Sequence, residues 1–156
     1  MTADLKKKRE TRKNAERYHL IDKVTMIEAL IQRFGPPALE TIKEARAEMM
    51  QILWKQVSEN AKDNSIEALI ENLWSDEYFE YTYTKEKDGS TKMNVTWCVF
   101  AEIARENNIQ DIAFEILCVD DEHIVKGFNS NIDFKRTKTL MEGHECCDHC
   151  YRYKTQ

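Results

Sequence analysis

The spacing of apolar residues changes near Trp74, and this change restricts the chain to a fold that mixes helices with strands. Before Trp74, apolar residues recur every three or four positions, the spacing that places them on one side of a helix. Gly35-Pro36-Pro37 interrupts the pattern and starts a second helix, since proline is tolerated in a first turn. Asp63-Asn64-Ser65 supplies capping residues for a further short helix. We therefore predict three helices, over residues 15–34, from the prolines to residue 57, and over 66–74.

After Trp74 the pattern becomes that of a small antiparallel sheet. Residues 78–84 are rich in aromatic and β-branched side chains, and Lys87-Asp88-Gly89-Ser90 is typical of a tight turn before residues 93–97. This segment predicts a hairpin. Two helices, over 98–106 and 112–126, and two strands, over 132–140 and 146–154, are expected to follow. The predicted fold class is α+β, with N-terminal helices packed with a small, about four-stranded antiparallel sheet and two further helices.

We expect residues 1–156 to form a single domain, because the sequence shows no repeat, low-complexity tract or linker. Residues 1–14 are basic, and we predict a flexible or frayed helix start rather than a phosphate-binding arm. The net charge of −5 and the lack of a long apolar run predict no nucleic acid and no membrane as partners. An odd cysteine count without a leader peptide predicts a cytoplasmic location. The long first helix can pack within the monomer or against a second copy, and we favour a homodimer.

The segment 144–150 holds three of the five cysteines and two of the four histidines. These side chains provide nucleophiles, proton carriers and soft metal ligands near neutral pH, so the segment indicates a chemical role. In a strand, Cys147 and His149 would point to one side, while Asp148 would point to the other. The cluster therefore cannot all face one pocket.

Two helical pairs upstream add candidates for the same site. Cys98 and Glu102 are four residues apart, and Cys118 and Asp121 are three apart, so each pair shares a helix face. Structural zinc sites normally use two separated ligand pairs of the form C-x2-C or H-x3-H. The sequence has no such pair upstream of the 144–150 segment. We therefore predict no cofactor; a bound zinc or iron ion would have to use Cys147, His149, Cys98 and Cys118.

Three stretches of the second half form a more specific pattern. They run from Cys98 to Glu102, from Cys118 to Asp121 with Gly127-Phe128-Asn129 after it, and from Arg136 to Asp148. The last reads Arg-Thr-x-Thr-x-x-x-Gly-x-x-x-Cys-Asp. Together they resemble the L-2-amino-thiazoline-4-carboxylic acid hydrolase family, and the resemblance extends over most of residues 15–153.

The resemblance implies hydrolysis of a non-peptide carbon–nitrogen or carbon–sulfur bond, the opening of a cyclic 2-amino-thiazoline acid to a carbamoyl-cysteine. It also implies a catalytic set of four residues. Cys147 and Asp148 match the terminal Cys-Asp of the family. Cys98 matches its helix-opening cysteine, and Asp121 matches the aspartate before the Gly-Phe-Asn turn. The chain departs from the family after Asp148. The family commonly has an aromatic residue and then an arginine there, where this chain has His149 and Cys150.

Opening an amidine-like ring needs a nucleophile, a proton for the leaving atom and an anchor for the substrate carboxylate. Cys147 can attack as a thiolate activated by His149, or Asp148 and Asp121 can activate a water molecule beside thiols that line the pocket. The sequence leaves both routes open. Arg136 can bind the carboxylate. The remaining substrate-binding candidates are Thr137, Thr139, Glu102 and His149.

We therefore predict a hydrolase that acts on a non-peptide carbon–nitrogen bond of a small molecule through a Cys/Asp site. The alternative is a sensor-type module that binds a small ligand or a metal in the same Cys/Asp/His pocket without turnover. A fold alone does not separate these two classes.

Overall fold

The computed structural model describes residues 1–155 and has the α+β architecture predicted from the sequence. The α-helices are α1 (Ala3–Phe34), α2 (Pro37–Asn60), α3 (Ile66–Leu73), α4 (Val99–Asn107), α5 (Gln110–Ala113) and α6 (Asp120–Phe128). The strands are β1 (Phe79–Lys85), β2 (Thr91–Cys98), β3 (Ile132–Lys135) and β4 (Cys147–Tyr153). They form one antiparallel sheet in the order β1-β2-β4-β3. The predicted hairpin is confirmed as β1 and β2.

The basic N-terminal segment is part of α1, which begins at Ala3 after the hydroxyl of Thr2 accepts a hydrogen bond from the Leu5 N–H. Several basic side chains of this segment meet acidic groups from distant parts of the chain. The pairs are Arg9 with Glu80 (3.0 Å), Arg12 with Glu77 (2.7 Å), and Lys13 with Glu102 and Glu106 (2.6 Å each). The helix start predicted as flexible or frayed therefore lies against the hairpin and α4.

One face of the sheet is covered by helices and forms the core. Along β4, Cys147, His149 and Tyr151 are buried, whereas Asp148 and Cys150 are more exposed. This alternation follows from the period of two in a strand, and it agrees with the division of the segment expected from the sequence. The covered face of β4 continues onto β2, where Met93 pairs with His149 and Val95 with Cys147.

The prediction of one continuous helix over residues 112–126 is wrong. The chain instead forms the single turn α5, a π-helical turn over Phe114–Cys118, and then α6. In the π-helical turn the Val119 N–H reaches back five residues to the Phe114 carbonyl, at 3.2 Å. Apolar spacing does not distinguish this turn from an α-helix, although such turns recur at functional sites.

The strand predicted over 132–140 is also wrong in length, because β3 ends at Lys135. Beyond that point the N–H groups of Thr137 and Lys138 donate to the carboxylate of Asp148, at 2.8 and 2.6 Å. A side chain thus takes the hydrogen bonds that a sheet partner would take in a longer strand. The segment from residue 136 to 146 then crosses one end of the sheet before β4 begins.

Helix α6 packs closely on α2 at Gly127. A Cβ atom at this position would lie 2.6 Å from the backbone oxygen of Gln51 and 2.7 Å from its Cα. Only a glycine fits this contact without displacement of a helix. The contact fixes α6, and with it Asp121, relative to α2.

Several large apolar side chains of α1 and α2 remain on the surface, among them Met26, Phe34 and Ile52. Among residues 1–155, no helix has both the length and the apolar character needed to cross a membrane. The homodimer stays a prediction.

Candidate functional site

A cavity of about 250 Å³ lies between the covered face of the sheet and the helices. The sheet contributes Val95, Cys147 and His149, and Trp74, which directly follows α3, also lines the cavity. Asp121 of α6 and Arg136, which follows β3, bring charge into this mostly apolar surrounding. An apolar cavity with a few convergent polar groups is the usual form of a small-molecule site.

The central polar contact joins Arg136 and Asp121. One guanidinium nitrogen, Nη1, pairs with Asp121 Oδ2, and Nη2 donates to the backbone carbonyl of Cys118 at 3.0 Å. The Arg136 side chain is only 11% exposed. The carbonyl belongs to the last residue of the π-helical turn, so this turn helps to orient the arginine. Arg136 thus contacts both members of the predicted pair, Asp121 through its carboxylate and Cys118 through its backbone carbonyl.

His149 lies at the floor of the cavity, and the residue is 3% exposed. Its ring is surrounded by those of Trp74 (5.0 Å between centroids), Phe134 (5.4 Å) and Tyr151 (6.3 Å). Its Nε2 lies 3.5 Å from Asp121 Oδ2, yet neither ring nitrogen makes a hydrogen bond within residues 1–155. A buried imidazole in this state has hydrogen-bonding capacity left for a ligand or water.

Three cysteines, Cys98, Cys118 and Cys147, line the cavity, and all five cysteines of the chain are free. Burial raises the pKa of the Cys98 thiol to about 12 and also raises the pKa of Cys118. Burial raises the pKa of Cys147 as well, although its Sγ accepts a hydrogen bond from the Leu140 N–H at 3.2 Å. These groups are therefore neutral thiols near neutral pH rather than resident thiolates.

A second ion pair lies in the cavity wall, between Arg46 of α2 and Asp120 of α6. Burial raises the pKa of Asp120, and the hydrogen bond from Arg46 opposes that rise. The sequence reasoning did not identify either residue. The available signal was a cation four residues after Ile42 and four before Met50, so that it shares a helix face with two apolar side chains.

The structure places several predicted residues away from the cavity. Asp148 is on the opposite side of β4, where its carboxylate binds Thr137 and Lys138. Its pKa is held below the ordinary value: burial alone would raise it, and hydrogen bonds from Thr137 and Lys138 outweigh burial. This environment suits a permanently charged anchor.

The other predicted substrate-binding groups also have partners within the fold. The exposed Thr137 donates its hydroxyl to Asp148 at 2.5 Å, and the buried Thr139 donates to Glu142 at 2.8 Å. Glu102 accepts from Lys13 at 2.6 Å and from the indole N–H of Trp97 at 2.5 Å. Thr137, Thr139 and Glu102 therefore do not line the cavity. The predicted residues that do line it are Cys98, Asp121, Arg136, Cys147 and His149.

Within the described residues 1–155, no group of three or more His, Cys, Asp or Glu side chains has an arrangement that could hold a metal ion. The four residues named as alternative metal ligands all line the cavity, but they do not form such a group. The prediction that the protein uses no cofactor stays a prediction.

The fold and the cavity together describe a small α+β protein with a ligand-sized space between its sheet and its helices. A family model described as L-2-amino-thiazoline-4-carboxylic acid hydrolase matches residues 13–151, nearly the whole chain. The chain belongs to this family, which is named for a hydrolase and was predicted from the sequence. A comparison with curated proteins gives no significant match.

Proposed function

We propose that the protein is a small-molecule hydrolase that cleaves a non-peptide carbon–nitrogen bond, as in ring opening of a 2-amino-thiazoline carboxylate or a related cyclic amidine. The observation that supports this proposal is the convergence of Asp121, Arg136 and His149 with three thiols on one cavity of about 250 Å³. The family name supports the reaction class. The only other reactant is water, so the proposal includes no cofactor.

Arg136 is the proposed anchor for the substrate carboxylate. A guanidinium group has five N–H donors, and the described contacts of Arg136 use two of its nitrogens, one toward Asp121 and one toward Cys118. The donors that remain can face an anion in the cavity. A carboxylate there would meet a fixed, planar partner, because both contacts already restrain the guanidinium.

Asp121 is the proposed group that orients and deprotonates the attacking water. Its carboxylate lies at the cavity wall between Arg136 and His149. We favour water over a cysteine nucleophile because burial raises the pKa of all three cavity thiols, which keeps them protonated. Cys98, Cys118 and Cys147 then shape the cavity and exclude bulk water.

Asp148 has a positioning role in this proposal rather than the catalytic role expected from the resemblance. Its carboxylate holds the backbone directly after Arg136, while its neighbour Cys147 faces the cavity. The residue thus connects the anchor to the strand that forms the cavity floor. Thr137 contributes through its hydrogen bonds to the same carboxylate.

The test is a hydrolysis assay with a panel of cyclic amidine carboxylates, in which mass spectrometry detects products that have gained one water. We expect turnover by the wild-type protein, and a loss of about 10²–10⁴-fold in kcat for Asp121→Asn, the range for loss of a general base. Arg136→Gln should chiefly raise KM. Asp133→Asn, at an exposed position on β3, is the matched control and should leave both constants unchanged.

Two other outcomes would change the assignment. If Cys147→Ser abolishes turnover while Asp121→Asn retains it, the nucleophile is the thiol and the water mechanism is wrong. If panel compounds raise the melting temperature without being converted, the chain is a small-ligand binding module instead.

A further inference from the structure

We propose that His149 is a catalytic residue, the proton donor to the leaving nitrogen, and that Asp121 returns the proton to it after each turnover. This inference rests on the proposed hydrolysis and adds a role that the resemblance does not supply. It starts from one observation, a histidine that is 3% exposed, faces the cavity and has two ring nitrogens without a hydrogen bond in the described chain.

A purely structural histidine at this position would be an unfavourable choice. The surrounding rings of Trp74, Phe134 and Tyr151 form an aromatic box that a fully apolar ring would fill without any polar cost. Buried polar atoms are nearly always hydrogen-bonded in proteins. Two unpaired nitrogens at the wall of a cavity therefore leave His149 able to bind a ligand or a water molecule there.

The imidazole is also held in a defined place. The backbone of His149 is in the centre of β4, paired with Met93 on β2, and its side chain packs against three rings. Nε2 then lies 3.5 Å from Asp121 Oδ2. Catalytic hydrogen bonds are often long before substrate binds, and this separation needs only a small approach or one bridging water.

The proton balance of the reaction closes with these two residues. Asp121 takes a proton from water as the water oxygen bonds to the substrate carbon. The π electron pair of the carbon–nitrogen double bond moves to nitrogen, which takes a proton from the His149 imidazolium, and the Asp121 carboxyl returns its proton to His149. When the remaining carbon–nitrogen bond breaks, its electron pair stays on nitrogen, which takes a second proton from His149, while Asp121 accepts the hydroxyl proton as the carbonyl forms. Transfer from the Asp121 carboxyl to His149 restores both groups. The net change is the addition of one water across the broken bond.

An imidazole suits this step better than the thiols of the cavity. An imidazole can donate a proton from one ring nitrogen and accept one at the other, whereas Cys98, Cys118 and Cys147 keep their protons because burial raises the pKa of each. The two acids of the cavity differ as well. Both pair with an arginine, Asp120 with Arg46 and Asp121 with Arg136. Asp121 is the acid whose Oδ2 also lies 3.5 Å from Nε2 of His149.

The test compares two substrates that differ only in the basicity of the leaving nitrogen. We use His149→Phe, which keeps an aromatic ring in the box, and His149→Gln, which keeps a hydrogen-bond donor that does not titrate. Loss of a general acid should lower kcat by about 10²–10⁴-fold for the more basic leaving group and by less than about tenfold for the less basic one. KM should change little for both. His144→Gln, in an exposed turn, is the matched control.

The results separate this inference from the proposed function. If the wild-type protein converts no substrate, the hydrolase assignment fails and the role of His149 fails with it. If the wild-type protein is active and His149→Phe lowers kcat equally for both substrates, or leaves it unchanged, only the proton-donor role is overturned. A loss that depends on the leaving group cannot arise from packing alone, so it would support the role.

Discussion

Thr137 and Asp148 are joined by two hydrogen bonds, one from the Thr137 N–H to Oδ1 at 2.8 Å and one from its hydroxyl to Oδ2 at 2.5 Å. The Lys138 N–H donates a third bond to Oδ1 at 2.6 Å. Because Arg136 directly precedes this clamp, the carboxylate fixes the segment that brings the guanidinium into the cavity. The Asp of the Cys-Asp pair thus acts on the cavity from the opposite side of the sheet.

Replacement of Asp148 by Asn should destabilise the protein and disturb the position of Arg136. The amide keeps one acceptor oxygen but places an NH₂ group against the donors of Thr137. Loss of charge-assisted bonds of this kind costs about 1–3 kcal/mol in the free energy of unfolding. Urea denaturation measures that value, with Asp133→Asn as the control. An unchanged free energy of unfolding would show that the clamp contributes nothing.

The same clamp predicts a loss of stability in acid. The pKa of Asp148 is held below its ordinary value of 3.8, because the bonds from Thr137 and Lys138 outweigh burial. A carboxyl whose pKa is depressed by folding stabilises the protein above its unfolded pKa and loses that contribution as the pH falls through the folded pKa. Asp148→Asn should therefore approach wild-type stability below the ordinary pKa of an aspartate.

Replacement of Lys13 by Met should lower stability although the residue lies in the basic N-terminal segment. Lys13 is only 9% exposed, and its ammonium lies 2.6 Å from carboxylate oxygens of both Glu102 and Glu106. Loss of one partner from a fully buried pair costs about 3–5 kcal/mol, but these carboxylates are partly exposed, so we expect about 1–3 kcal/mol. Thermal melting provides the measurement, and Lys8→Met, at an exposed ion pair, is the control.

The pH dependence of this contact has the opposite sign to that of Asp148. Burial alone would lower the pKa of Lys13, but its bonds to Glu102 and Glu106 outweigh burial and raise it. The contribution is therefore present below the ordinary lysine pKa of 10.5 and is lost as the pH rises through the folded value. If Lys13→Met melted like the wild-type protein near neutral pH, the paired N-terminal segment would not stabilise the fold.

The sequence predicted the parts of the fold that follow from local periodicity. The helices before Trp74 follow from the spacing of apolar residues, and the hairpin of β1 and β2 from its strand-forming residues and turn. The alternation of Cys147 and His149 against Asp148 follows from the period of two in a strand. The π-helical turn and the early end of β3 were missed. Both depend on single hydrogen bonds, from Val119 to Phe114 and into the Asp148 carboxylate, which leave no periodic signal.

The residues that line the cavity were harder to predict, because contacts between distant segments leave no periodic signal in the sequence. The resemblance named Cys98, Asp121 and Cys147, and the structure brings them to one cavity. It also named Asp148, although strand alternation placed that residue on the side opposite Cys147 and His149, and the structure has it there. The pair of Arg46 and Asp120 joins α2 to α6 across a long sequence separation, so only the packing of the two helices reveals it.

Replacement of Gly127 by Ala should destabilise the contact between α2 and α6. The new Cβ would lie 2.6 Å from the Gln51 carbonyl oxygen, and helix backbone has little freedom to move. Gly to Ala in a helix normally gains about 0.5–1 kcal/mol, whereas overpacking costs about 1–3 kcal/mol, so the steric effect should dominate. Chemical denaturation should show a net loss, while Glu122→Ala, exposed on the same helix, should not. A more stable Gly127→Ala protein would contradict the close packing.

Slow alkylation of Cys98 in the native protein is the last prediction. Burial raises the pKa of its thiol from the ordinary 9.0 to about 12, so near neutral pH the native protein holds about a thousandfold less Cys98 thiolate than the unfolded chain. Iodoacetamide labelling with peptide mass spectrometry, with and without urea, measures the ratio of the two rates. We expect labelling in the native state to be slower by about a thousandfold, the size of the thiolate deficit.

Cys147 is the informative comparison in that experiment. Its thiol pKa is also raised by burial, so the water mechanism requires it to react slowly near neutral pH, with hydrolysis surviving brief treatment. A thiolate nucleophile would instead make Cys147 the first site to be labelled, and activity would disappear at the same rate. Because Cys147 and Asp121 face the same cavity, this single rate comparison decides which of them starts the reaction.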